Sequence, residues 1–228
     1  MSKIHLITTC SKSKNGECLE TLQLSDFISI DEAHQVWKKR INARFEDRSC
    51  ITETRNLYRG SHWNTALRIS ESRSDIVLWV ISAGIGLRHS SDLAVPYEAS
   101  FKDMPGLSSR FWELTIKNPI LPGRMPSLEA LLQANKFDRF VVAASPVYLN
   151  AVDNDLLRGI NCLPDARAQI TIVTTQGYRE RLKPYLRIGT KSMMRLLNSN
   201  MTMLNIKHAE DIISSMPEVS EPTALTSF

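Results

Sequence analysis

The sequence has no run of about 18 consecutive apolar residues, the length a membrane-spanning helix needs. Its first residues enter a strand pattern without the basic and apolar stretches of a signal peptide. A membrane protein and a secreted protein are therefore disfavoured, and the cytoplasm is the expected location. Cysteine is scarce. Cys10, Cys18, Cys50 and Cys162 lie scattered, without a CxxC pair or the histidine spacing of a zinc site, so free thiols are expected and no metal. Cys10 differs from the others in following the first strand pattern, where a thiol reaches any pocket at the strand's end. Phosphate fingerprints are missing too: GxxxxGK[ST] does not occur, and Ser82-Ala83-Gly84-Ile85-Gly86 lacks the spacing of GxGxxG. This argues against a nucleotide-triphosphate motor and a dinucleotide oxidoreductase, and no cofactor is expected. No GxSxG elbow marks a serine nucleophile. There is no internal repeat and no low-complexity block.

What is there reads as alternating strands and helices. The 228 residues suffice for one sizeable core. Four runs, Ile4 to Thr9, Ile76 to Ile81, Phe140 to Ala144 and Ile170 to Thr174, are short, rich in valine and isoleucine and poor in strict alternation, as in strands covered on both faces. Asp31 and Glu32 open a helical pattern over 31–45, with Ala33, Val36, Trp37 and Ile41 on one side. A second pattern starts near Ser61, with Trp63, Ala66, Leu67 and Ser70 facing inward. The order predicts an α/β fold: a three-layer domain with a mainly parallel four-stranded sheet and right-handed crossovers. A single domain is expected over 1–216, with a flexible tail at 217–228. Five prolines, Pro96, Pro105, Pro119, Pro122 and Pro126, punctuate 95–135. This stretch reads as a helical insertion over the strand ends, with helices at Ser109 to Lys117 and Ser127 to Ala134. After Gly189 the stripe Met193, Leu197, Met201 and Leu204 predicts one core-packing helix, with Lys207 to Ser215 behind it.

In an open parallel sheet the loops that follow the strands converge at one edge. Here those loops carry Cys10, Ser11, Lys12 and Lys14; then Ser82 to Leu87, with Gly84, Gly86 and Asp92 downstream; then Ser145, Pro146 and Tyr148 at a helix start; and Thr174 to Tyr178. The two glycines let a ligand approach the main chain, and the set suits a phosphate and a polar ring. The net charge of +4 is modest, but its distribution is not even. Lys38, Lys39, Arg40 and Arg44 share one segment, and Arg179, Arg181, Lys183, Arg187, Lys191 and Arg195 crowd a late one with Tyr178 and Tyr185 interleaved. The late mixture fits phosphate contacts with stacking on a base, or a solvated face. His62 and His89 read as acid/base groups or surface residues, and Asp153 and Asp155 as helix-surface charge.

Three segments, Thr9-Cys10-Ser11-Lys12-Ser13-Lys14, Leu57-Tyr58-Arg59-Gly60, and Ser82 to Leu87 with Asp92, Pro96 and Tyr97, resemble a family of small bacterial and phage proteins. That family is related to the peroxide-stress protein YaaA and to the catalytic C-terminal domain of archaeosine synthase, with a uracil-DNA-glycosylase-like fold. The resemblance implies a protein handling a modified base or its glycosidic bond, since some such relatives look like antiphage DNA glycosylases. The expected activity is a DNA glycosylase that hydrolyses the N-glycosidic bond of a modified base, such as glucosylated hydroxymethylcytosine, in phage DNA and leaves an abasic site. On that reading Asp92 stabilises the sugar cation or activates water, with Ser82 and Tyr97 beside it as catalytic groups, and Tyr97 or Tyr148 stacks on the base. Cys10, Ser11, Lys12, Lys14, Tyr58, Gly84, Gly86, Ser145 and Tyr148 bind substrate, and the late basic cluster binds DNA. The GxDPY and HPSxxS signatures of a standard uracil-DNA glycosylase are missing, which argues against uracil as the base. A noncatalytic DNA-binding stress protein and a nucleobase-modifying transferase of the archaeosine synthase type are the alternatives.

Overall fold

The computed structural model describes residues 2–20, 24–178 and 181–218. Its strands are β1 (Ile4–Thr9), β2 (Thr52–Glu53), β3 (Ile76–Ser82), β4 (Gly86–His89), β5 (Leu93–Ala94), β6 (Arg139–Ala143), β7 (Ile170–Thr175) and β8 (Leu186–Gly189). Its helices are α1 (Ile30–Glu46), α2 (Thr54–Leu57), α3 (Ser61–Glu71), α4 (Ser108–Lys117), α5 (Leu128–Ala134), α6 (Pro146–Ile160), α7 (Ala166–Gln169), α8 (Lys191–Leu196) and α9 (Leu204–Ser214).

Six strands form one sheet in the order β4-β3-β1-β6-β7-β8, and β2 pairs with β5 in a separate ribbon. Neighbours in the large sheet run parallel except β3 and β4. The four expected strands are its central ones. Leu6, Ile7, Leu78, Val80, Ile81, Val141, Val142, Ile172 and Val173 are all buried, so residues of both faces must be apolar and the runs cannot alternate. The sheet has six strands rather than four because edges β4 and β8 are only four residues long. Gly86-Leu87-Arg88-His89 and Leu186-Arg187-Ile188-Gly189 offer one or two apolar side chains each, too few to register as a strand pattern.

Helices pack around the sheet in two groups. α3 and α9 touch each other and lie along β1, β3, β6, β7 and β8; α1, α4, α5 and α6 make up the other, with α4 on β4 and α6 on β7. The excursion at 95–135 therefore contributes α4 and α5 to the wall of the domain, and only its first residues approach the strand ends. Asp155 on α6 joins this group together. Its wholly buried carboxylate accepts from Trp112 Nε1 on α4 (2.9 Å) and from the main-chain N–H groups of Leu128 (2.9 Å) and Glu129 (3.1 Å) at the start of α5. Asp155 is thus a buried staple instead of surface charge. The pattern of α6 alone does not reveal that two further helices cover this face.

Other boundaries move for local reasons. Ser29, not Asp31, caps α1, its side chain accepting from the Glu32 N–H. The inward face of α3 is Trp63, Thr65, Ala66 and Ile69, with Leu67 and Ser70 at its margin. The single helix expected after Gly189 is split into α8 and α9, with Asn198 at φ 43° in the left-handed region, and Met201 is left 56% exposed in the break. Of the expected tail, 219–228 lie outside the described residues. Its beginning is fastened by Arg73, whose guanidinium donates to Met216 O (2.9 Å) and Pro217 O (3.2 Å). No helix among the described residues is long and apolar enough to cross a membrane.

Candidate functional site

From β1 the chain crosses to β3 on one side, then returns to β6 on the other. A crevice opens between the carboxyl ends of β1 and β6, the switch point where open α/β sheets bind ligands. A cavity of about 350 Å³ lies beside these strand ends, lined by Cys10, Lys12, Lys14, Glu98, Ala99, Ser100, Lys102, Asp103 and Tyr148. Its size is that of a small-molecule site.

The three segments that carry the resemblance meet at this place. Lys14 and Tyr58 form a β-bridge, flanked by main-chain bonds from Arg59 N to Ser13 O (3.0 Å) and from Asn15 N to Leu57 O (2.8 Å). Leu19 bridges to Tyr97, and Glu98 N donates to Leu19 O (2.7 Å). The loop after β1 is thereby clamped by two distant strips of backbone. Lys14 is only 8% exposed. Its Nζ donates to Ser11 O (3.1 Å) and Lys12 O (3.3 Å) and lies 4.4 Å from the centre of the Tyr97 ring and 5.7 Å from that of Tyr58, a favourable place for a cation. Burial pushes the Lys14 amine below its ordinary pKa, and Cys10, Cys18 and Glu98 oppose that shift. Cys10 Sγ is 3.1 Å from Tyr148 Oη. Tyr148 stands in the first turn of α6 with Phe101 edge-on at 5.1 Å, and burial raises its pKa.

Behind Lys14 is a dry row of hydroxyls. Tyr58 and Tyr97 share a 2.7 Å hydrogen bond, and Tyr97 Oη is 2.5 Å from Ser82 Oγ. Both phenols are pushed above their ordinary pKa by burial. Ser82 Oγ also accepts the N–H groups of Gly84 (3.2 Å) and Ile85 (3.0 Å). Ser82 and Tyr97, expected as catalytic groups, and Tyr58, expected to bind substrate, support Lys14 from behind and do not line the cavity. The expected ligand loop after β3 is in fact a tight hairpin into β4, in which Gly86 takes φ +80°. Gly84 is approached by protein instead of ligand. Trp37 Nε1 donates to its carbonyl at 2.6 Å, and a Cβ there would stand 2.4 Å from the Tyr97 ring. Gly84→Ala is expected to displace Tyr97 and cost about 1–3 kcal/mol by overpacking, read as a drop of roughly 3–10 °C in the melting midpoint.

No protein-family model matches this chain, and no curated protein matches it. The chemistry of the site therefore rests on its own residues.

Asp92 is not among the residues lining the cavity. Its 5% exposed carboxylate lies 3.9 Å from Arg88 Nε and 3.7 Å from Arg124 Nε, and it accepts from the His89 N–H (2.8 Å) and the Arg124 N–H (3.3 Å). A carboxylate whose lone pairs serve the frame in this way does not meet a sugar. The β3–β4 hairpin explains the error, since it carries the chain back from the strand ends before Asp92 is reached. The carboxylates that do face the cavity are Glu98 and Asp103, and Lys12 Nζ lies 3.9 Å from Glu98 Oε1. Their only sequence signal is their place just after Pro96-Tyr97. Ser11 and Ser145 are also absent from the lining. Ser11 Oγ donates to Ser13 O (2.7 Å), and Ser145 is the extended residue before α6.

Neither histidine singled out above lines the cavity. His62 Nε2 is 2.7 Å from Thr8 Oγ1, and burial lowers its pKa. His89 packs edge-on against Trp79, and burial lowers its pKa to about 4. Among the described residues no three His, Cys, Asp or Glu side chains form a metal-holding group. Arg181, Lys183, Arg187, Lys191 and Arg195 are exposed, Arg187 on β8, Lys191 and Arg195 on α8 and the others in the segment before β8. Arg181 donates to Asn154 Oδ1 (2.6 Å); Arg179 lies outside the described residues. β8 stands three strands from β1, roughly 14 Å at ordinary strand spacing. Tyr178 is buried and Tyr185 half-buried, so Tyr178 offers no open face for stacking. In the earlier basic segment, on α1, Lys38 donates to Asn118 Oδ1 and Arg44 lies near Glu17 and Asp47.

Proposed function

We propose that the protein is a DNA glycosylase that hydrolyses the N-glycosidic bond of a modified base in phage DNA, within a three-layer, uracil-DNA-glycosylase-like domain. The observation that carries this reading is a cavity at the switch point with a buried amine, Lys14, at its floor and two carboxylates, Glu98 and Asp103, on its wall. Cleavage of a glycosidic bond sends the bonding electron pair to the base and leaves positive charge on the sugar. The Lys14 ammonium donates a proton to the departing base, and its depressed pKa makes that transfer easier. Glu98 takes the role expected of Asp92: it stabilises the sugar cation and orients the attacking water. Tyr148, braced edge-on by the buried Phe101, supplies the aromatic wall for a flipped base, and the β8 edge supplies phosphate contacts. The resemblance read from the first loop, Tyr58 and Tyr97 supports the same chemistry, because these segments build the Lys14 pocket.

The test is incubation with phage genomes carrying unmodified, hydroxymethylated or glucosylated cytosine, scoring alkali-labile abasic sites. Breaks are expected in one modified DNA, reduced about 100-fold or more by Lys14→Met and by Glu98→Gln. No breaks in any DNA would overturn the reading. The exposed basic edge taken alone favours a noncatalytic DNA-binding protein. That reading predicts salt-sensitive duplex binding with no abasic sites, weakened by Arg187→Glu and indifferent to Glu98→Gln.

A further inference from the structure

Lys14 differs from every other amine at the cavity. Lys12 and Lys102 line the same space but are exposed, and Lys12 faces Glu98. Lys14 is buried, its loop is clamped by the Tyr58 bridge, and its Nζ meets the main-chain carbonyls of Ser11 and Lys12 and the rings of Tyr97 and Tyr58. Among the described residues no carboxylate lies within 4.0 Å of that nitrogen, although several lysines and arginines elsewhere have such a partner. Carbonyls, ring faces and the more distant charge of Glu98 hold this amine at the cavity, with no carboxylate in contact to keep it protonated. A lysine meant to form a covalent bond needs such a place.

We infer that Lys14 is a nucleophile as well as a proton donor, and that the protein cleaves the strand at the abasic site through a Schiff base between Lys14 Nζ and the sugar aldehyde. The inference rests on the glycosylase reading and adds a second activity at the same site. Once Lys14 has given its proton to the base, the amine is neutral, and burial favours that form. The Nζ lone pair adds to C1′ of the ring-opened sugar, and the C1′ oxygen takes one proton from that nitrogen and one from Glu98, which gained it from the attacking water or from solvent, and leaves as water, giving an iminium ion. Glu98 removes a C2′ proton, the C–H electron pair forms the enamine, and the C3′–O bond then breaks with the 3′ phosphate taking its electrons. Water hydrolyses the remaining unsaturated iminium and returns Lys14 to the amine. Every atom is supplied by the protein, the DNA and water.

The experiment uses the full chain and a labelled duplex with one preformed abasic site, so that base removal is not required. Cyanoborohydride is added to reduce any Schiff base. The expected result is strand cleavage without alkali and a reduced covalent adduct whose peptide mass places the sugar on Lys14. Lys14→Arg, which keeps the charge but cannot form the imine, should lower adduct yield on the order of 100-fold or more. Mapping the adduct on the unsubstituted protein decides the matter even if that variant does not fold. No adduct, or an adduct on Lys12, Lys102 or another amine, overturns the inference. Alkali-labile sites in modified DNA without an adduct on abasic DNA overturn it too, while the glycosylase reading stands. A Lys14 adduct without base release from any modified DNA sustains the amine chemistry and overturns the glycosylase reading.

Discussion

Asp155→Ala should lower stability by about 3–5 kcal/mol. The substitution leaves the Trp112 indole N–H and two main-chain N–H groups of α5 without an acceptor, and each buried orphan costs about 1–3 kcal/mol. Arg158, 3.6 Å away, also loses a counter-charge, though it keeps Glu113 and Glu129. Burial raises the Asp155 pKa, against the pull of those same N–H donors and Arg158, so much of the apparent strength of the staple offsets its own desolvation. Asp155→Asn retains one acceptor oxygen and should lose about half as much. Urea unfolding at neutral pH measures both, and a loss under about 1 kcal/mol for the alanine variant would show that α4, α5 and α6 hold together without it. Because α6 also carries Tyr148, a weakened staple should blur the cavity wall as well.

Acid should destabilise the fold well before its carboxylates titrate. His34 is 2% exposed, its Nε2 has no hydrogen-bond partner among the described residues, and it packs edge-on against Phe111 at 5.1 Å. Burial, helped by Lys38 and opposed by Asp31, lowers its pKa to about 4. In the unfolded chain the ring takes a proton near the ordinary value of 6.5. The native state therefore binds fewer protons, and the stability held in full above about pH 6.5 is lost as pH falls toward 4. At about 1.4 kcal/mol per pH unit His34 alone accounts for roughly 3 kcal/mol. His5, His62, His89 and His208 are shifted in the same direction. Unfolding free energies at pH 7, 5.5 and 4.5 should fall in sequence, and His34→Gln should flatten the decline. A level profile would show that these rings are protonated without cost in the fold.

The legible parts of this protein are those set by one uninterrupted stretch of chain. Continuous valine and isoleucine runs announced β1, β3, β6 and β7, because a parallel strand is buried on both faces. The cavity residues Cys10, Lys12, Lys14 and Tyr148 follow from the rule that strand ends converge. What escaped depends on chain reversal and distant pairing. Three residues between Ser82 and Gly86 decide that the chain turns back into β4, and Asp92 is removed from the site by that turn. Glu98 and Asp103 reach the cavity only because Leu19 pairs with Tyr97, a contact no local pattern contains. Tyr178 sits in a polar, basic stretch, yet tertiary packing buries its ring.

The exposed cations beside β8 have a consequence unrelated to ligand. Among the described residues β8 is the last strand of the sheet, and an open edge invites pairing with the edge of another molecule. A strand of four residues with Arg187 on it, ringed by Lys183, Lys191 and Arg195, repels an identical strand approaching from solution. The same charges thus guard this edge against self-pairing, and charge-neutralising variants should be stored dilute and checked by light scattering before any change in their binding is credited to a missing phosphate contact.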